Sequence, residues 1–252
     1  MQNRIEQYIL AHAELMREWK EKHKAVGYES FVTDGIVCPE VWFSQTTRVL
    51  FILKEAYNDE RSRGVDWCLL DYLMSEDGSK GRIWTAVAEW QYALQNTTNR
   101  DIPVFDGWVG CPVGDMKQYR KARGNLLKQC SVINIKKSNG RNGSDDADLL
   151  RYVKEDWELI KTQIELIDPT IIVCGSTFSL LRDWTADPEQ KRTQIFGVDT
   201  AYIPDSRGCY AIGSRALLAY YHPANQYPAA LNFYGIVGMY HNYLKQEGCS
   251  RS

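Results

Sequence analysis

The sequence predicts an α/β fold: a three-layer sandwich with a short central parallel four-stranded sheet and helices on both faces. Four apolar runs of strand length carry the prediction: Val49-Leu50-Phe51-Ile52-Leu53, Val132-Ile133-Asn134-Ile135, Thr170-Ile171-Ile172-Val173-Cys174 and Ala216-Leu217-Leu218-Ala219-Tyr220-Tyr221. Stretches of helical periodicity separate them, and a helix is the usual crossover between parallel strands. The runs are apolar at successive rather than alternate positions, as strands covered on both faces are.

The first element is an amphipathic helix over residues 3–24, with Ile5, Tyr8, Ile9, Leu15, Met16, Trp19 and His12 on one face. After the first run, helical patterns span Trp67–Met74 and Ile83–Leu94. Asn96–Val113 is rich in turn residues and reads as loop. Met116–Cys130 is a basic helix carrying Lys117, Arg120, Lys121, Arg123 and Lys128. The second run passes into a polar loop from Lys136 to Gly143. Residues 148–167 form a helix that Asp168-Pro169 ends. The third run closes on Gly175-Ser176, the fourth on His222-Pro223, and a last helix covers residues 229–245. No linker or repeat interrupts this order, so residues 1–252 read as one domain, with a core over about 48–245 and the first helix packed on it.

Composition narrows the function classes. A formal net charge of −2 requires that any nucleic-acid contact come from a local basic patch. The start, with Arg4 and Glu6, lacks the apolar stretch of a signal peptide, and no run is long enough for a membrane-spanning helix. The seven cysteines are scattered without a C-x-x-C pair, which points to reduced thiols in the cytoplasm and to no zinc or iron–sulfur site.

In a parallel sheet the strand ends share one edge, where open α/β folds bind ligands. Glu55, Asn134–Asn139, Ser176 and His222 are therefore expected together. Asn134 breaks an apolar strand and must find partners, as a structural residue or as a ligand reader. Glu55 caps a helix, joins a surface ion pair or serves a site. Ser176 and Gly175 open a helix, a natural phosphate position. Lys136, Lys137 and Arg141 form a basic stretch that is either solvated or phosphate-binding. Trp84, Trp90 and Trp108 are candidates to stack a base or to fill the core.

In order, the segments Ile52-Leu53-Lys54-Glu55-Ala56-Tyr57-Asn58, Ile133-Asn134-Ile135-Lys136-Lys137 with Arg141-Asn142, Val173-Cys174-Gly175-Ser176-Thr177 and Tyr221-His222-Pro223-Ala224 resemble motifs of the uracil-DNA glycosylase superfamily. The likeness spans roughly residues 48–245. The resemblance implies hydrolysis of the N-glycosidic bond of a flipped-out base, uracil by default, without cofactor or metal. It implies DNA as partner, single-stranded or uracil-containing. Glu55 or Asn58, with Asp59 and Glu60 as substitutes, would attend the sugar and its water, and His222 the departing base. Asn134 would read the base edge and Tyr57 wall the pocket. Lys136, Lys137, Arg141 and Ser176 would hold phosphates. The glycine and proline usual in the first motif are absent here. A non-catalytic nucleobase or nucleic-acid binding module on the same fold is the alternative, and an enzyme acting on a free nucleoside or nucleotide a third.

Overall fold

The computed structural model describes residues 1–28, 30–57, 64–78, 80–140, 143–182, 194–195, 198–204 and 206–250, with side chains described for these except 182, 194–195, 198–199 and 247–250. Helix α1 (Gln2–Ala25) is followed by the short strands β1 (Val32–Thr33) and β2 (Gly35–Ile36), then α2 (Pro39–Trp42) and β3 (Val49–Tyr57). Next come β4 (Trp67–Cys68), α3 (Leu69–Met74), α4 (Arg82–Gln95), α5 (Met116–Lys128), β5 (Ser131–Gly140), α6 (Asp146–Ile167), β6 (Ile171–Gly175) and α7 (Phe178–Arg182). Strands β7 (Gln194–Ile195), β8 (Val198–Tyr202), β9 (Cys209–Ile212) and β10 (Arg215–Tyr220) precede α8 (Ala229–Ser250).

The four apolar runs become β3, β5, β6 and β10, and they pair in parallel in the order β5-β3-β6-β10. The sheet does not stop there, which corrects the expected four-stranded parallel sheet. Strand β2 adds antiparallel to β5, and β9, β8 and the two-residue β7 extend the β10 edge antiparallel, giving a mixed sheet. Strands β1 and β4 form a separate two-stranded parallel ladder.

Side chains alternate across the sheet and split the core in two. Val49, Phe51, Leu53, Val132, Val173 and Leu218 pack with Val87, Trp90 and Leu94 of α4, Leu127 of α5 and Ile236 of α8. Leu50, Ile52, Ile133, Ile172 and Leu217 pack with Trp19 of α1, Ile160 and Ile164 of α6 and Leu181 of α7. Helices thus cover both faces. Helix α1 belongs to the second layer, although Ile9, expected on its apolar face, is 46% exposed. Helix α6 begins where the Asp145 carboxylate accepts from the Ala147 amide at 2.9 Å, with Asp146 and Asp148 in the first turn where the helix dipole favours them. It ends at Asp168, which takes the left-handed conformation. The basic helix α5 presents Lys117, Arg120 and Lys121 to solvent, while Arg123 turns inward over the Tyr119 ring at 4.5 Å.

Candidate active site

Helices α3, α4 and α5, which follow β3, pack on one face of the sheet, and α7, which follows β6, packs on the other. In open α/β sheets, the carboxyl ends of adjacent strands followed by helices on opposite faces are the usual place for a ligand crevice. Glycine makes it narrow. A Cβ on Gly175 would lie 2.7 Å from Leu53 Cδ2 and 3.4 Å from Pro223 Cδ, so its absence lets β3 and the His-Pro segment close over β6. Gly175→Ala is expected to cost about 1–3 kcal/mol through overpacking. Urea unfolding measures it, and an unchanged midpoint would mean that Leu53 and Pro223 have room to move apart.

His222 stands at this crevice. Its backbone N–H donates to Ser176 Oγ at 2.9 Å. Its Nδ1 accepts the Ala224 amide at 3.2 Å, which places the ring proton on Nε2. Burial lowers the imidazole pKa from its ordinary 6.5, and the nearby Lys54 charge lowers it further. The outcome is a neutral ring with an Nε2–H donor that has no hydrogen-bond partner among the described residues. Ser176, at φ 57°, sits in the left-handed region and makes the turn that brings its hydroxyl to His222. Helix α7 spans only five residues, so the expected phosphate position at Ser176 lacks a helix dipole of any length; the hydroxyl instead positions the His222 backbone.

Glu55 lies next to Lys136 in register, with Oε2 3.0 Å from Lys136 Nζ and its side chain 6% exposed. The carboxylate fits there because Gly140 has no Cβ, which would fall 2.5 Å from Glu55 Cγ. Lys136 also reaches Asp148 at 2.9 Å and sits over the Tyr152 ring at 5.4 Å. Burial works to lower its pKa, but Asp148 and Glu55 together raise it above the ordinary value. Lys136 therefore neutralises two carboxylates, a correction to its expected phosphate contact. Tyr57, at the end of β3, is 55% exposed. Asn58, Asp59, Glu60 and Arg141 lie outside the described residues.

A buried network that the sequence did not announce takes up Lys137 and Asn134. Asp34, just before β2, is fully buried. Its carboxylate accepts from Lys137 Nζ at 2.5 Å, Gln163 Nε2 at 3.0 Å, the Asn134 amide N–H at 2.8 Å and Asn134 Nδ2 at 3.2 Å. Its carbonyl oxygen bonds His12 Nε2 at 2.7 Å and Gln163 Nε2 at 3.1 Å. Lys137 is fully buried, 4.6 Å from the Trp19 ring centroid, and burial pushes its pKa down against the pull of Asp34. It is an internal counter-ion and not a phosphate contact. Asn134 is 2% exposed, and its amide donor turns to Asp34 on the β2 side of β5, away from β3. That arrangement is the structural one of the two roles open to Asn134, with its side chain bonded to Asp34.

Other side chains gather at the crevice unannounced. Arg82, opening α4, donates to Gln226 Oε1 and to the Asn225 carbonyl, each at 2.9 Å, and so ties the loop after His222 to α4. Tyr221 and Tyr227 are 51% and 53% exposed, with ring centroids 5.0 Å apart. Trp90 is buried against Tyr220, and Trp84 and Trp108 pack half-buried on the same core, so tyrosines rather than tryptophans present exposed rings here. A groove of about 240 Å³ between Lys161, Glu165, Ile212 and Arg215 lies at the opposite edge of the sheet, beside the start of β10. Among the described residues no three His, Cys, Asp or Glu side chains cluster as metal ligands, and no helix is long and apolar enough to cross a membrane. Comparison of the chain with models of protein families, with curated proteins and with solved structures returned no match.

Proposed function

We propose that the crevice between β3 and β6 takes a nucleobase and that the chain hydrolyses the N-glycosidic bond of a flipped-out base in DNA, uracil first. One observation carries this reading: a neutral His222, held by Ser176 and Ala224, with its Nε2–H unpartnered among the described residues at the sheet's switch point. When the bond to the sugar breaks, the base departs as an anion with charge on its carbonyl oxygens. A fixed N–H donor stabilises that charge more than the neutral base, which is the condition for catalysis. The sugar becomes cationic, and the Glu55 carboxylate on the neighbouring strand end is the group of opposite charge.

A second reading, a nucleobase-binding module that does not hydrolyse, is favoured by one contact. Glu55 already has its charge matched by Lys136 at 3.0 Å. A strand carrying one uracil, incubated with the protein and heated in alkali, separates the two. Breakage at the uracil supports hydrolysis. An intact strand that still binds supports the module, and a strand neither bound nor cut overturns both.

A further inference from the structure

We propose that Tyr221 and Tyr227 form a stacking platform for the bases of a single-stranded DNA beside His222. This deepens the reading above and rests on it for the identity of the ligand. Two rings more than half exposed stand 5.0 Å apart, with Tyr220 5.4 Å from Tyr221 beneath them. Exposed aromatic faces are costly to hold still, yet this loop is held at many points. Asn225 Nδ2 donates to the His222 carbonyl and the Tyr227 amide donates to Asn225 Oδ1, each at 2.9 Å. Asn232 Nδ2 donates to Asn225 Oδ1 at 2.9 Å and to the Tyr227 carbonyl at 3.3 Å, and Arg82 adds its two bonds. The rings are thus preorganised, and a ligand that stacks on them loses little freedom in the protein.

Charge selects the strand form. A duplex presents its phosphates and hides its base faces, so proteins bind it largely through free cations. At this edge Lys54 is paired with Asp146 at 2.8 Å, Lys136 with Glu55 and Asp148, and Lys137 with Asp34, while Arg82 is exposed, hydrogen-bonds neutral acceptors and keeps its charge. Arg207 is exposed in the turn whose Gly208 carbonyl accepts from Ala219, at the carboxyl end of β10, and can meet a phosphate. Aromatic faces with few available cations among the described residues suit a strand whose bases are unstacked and open.

Fluorescence anisotropy with a uracil-free single strand and the matching duplex tests this without calling on hydrolysis. The single strand is expected to bind at least about tenfold more tightly. Its log K is expected to fall with log salt at a slope of about −0.7 to −1.4, one or two phosphates. Tyr221→Ala and Tyr227→Ala should each weaken binding about tenfold, and Tyr→Phe should restore it, with thermal melts confirming the fold. Equal binding of duplex and single strand, unchanged affinity in both alanine variants, or no binding of either strand would overturn the platform. A single strand that binds as described while its uracil form goes uncut overturns the hydrolase reading and leaves the platform standing.

Discussion

Under the hydrolase reading proposed above, His222→Ala is expected to slow N-glycosidic cleavage by about 10²–10³-fold with the fold intact, the loss seen when a donor to a developing anion is removed. The neighbouring loop keeps its shape because Arg82, Asn225 and Asn232 hold it without the imidazole. His222→Gln, which retains an N–H donor, should recover part of the rate. The pH profile gives the protonation state. With a pKa lowered from 6.5 by burial and by Lys54, the ring stays neutral as pH falls through 6.5, so cleavage should stay level there and change only at the lower folded value. Stability follows the same sign. The unfolded chain binds the proton first, so stability is full above pH 6.5 and declines as pH falls from 6.5 towards the folded pKa. A rate that climbs as pH drops through 6.5 would make the imidazolium the working form and sink the neutral-donor model.

The parallel core of the sheet was legible because β6 and β10 are largely apolar, β3 opens on Val49–Leu53 and β5 carries Val132, Ile133 and Ile135 near its start, a pattern that strands covered on both faces sustain. Its antiparallel additions were not. Strand β2 is two residues long, and Cys209–Ile212 carries no run that sets it apart from loop. Strand β5 shows where residue type misleads. Lys136-Lys137-Ser138-Asn139 reads as a polar loop, yet the strand runs to Gly140. Each polar residue there has a partner: Lys136 has Glu55 and Asp148, Lys137 has Asp34, and Ser138 has the Tyr152 hydroxyl at 2.6 Å. Pairing at that range joins residues up to 103 positions apart, and nothing local records it. His222 was legible because it follows an apolar strand and precedes proline. Tyr221 and Tyr227 were not, since aromatic residues are more often core. Asp34 gave no signal at all, lying between two short strands with only an adjacent glycine to mark a turn.

Breaking the Asp34–Lys137 pair should produce the largest loss of stability in the molecule. Both side chains are fully buried, 2.5 Å apart. Lys137→Met removes the ammonium and leaves a carboxylate in the core with Gln163 and Asn134 as its remaining donors. Removing one member of a buried pair costs about 3–5 kcal/mol, a large part of the ~5–15 kcal/mol that holds a domain folded. Asp34→Asn alone leaves the ammonium with Gln163 Oε1 at 2.9 Å and the Trp19 ring, and should cost a similar amount. The double variant Asp34→Asn, Lys137→Met removes both charges. Its asparagine can still accept from the Asn134 amide, and methionine fills the lysine's volume against Trp19. It should therefore be more stable than either single variant, by about 2 kcal/mol or more, because the two costs describe one interaction. Breaking the exposed pair Arg17–Glu21, with side chains 61% and 65% exposed, should change little, since solvent screens it. Urea unfolding of the four proteins of the cycle gives the coupling directly. Additive single costs, with the double variant the least stable, would mean that Asp34 and Lys137 act through separate partners and that the pair is not what joins α1, β2, β5 and α6.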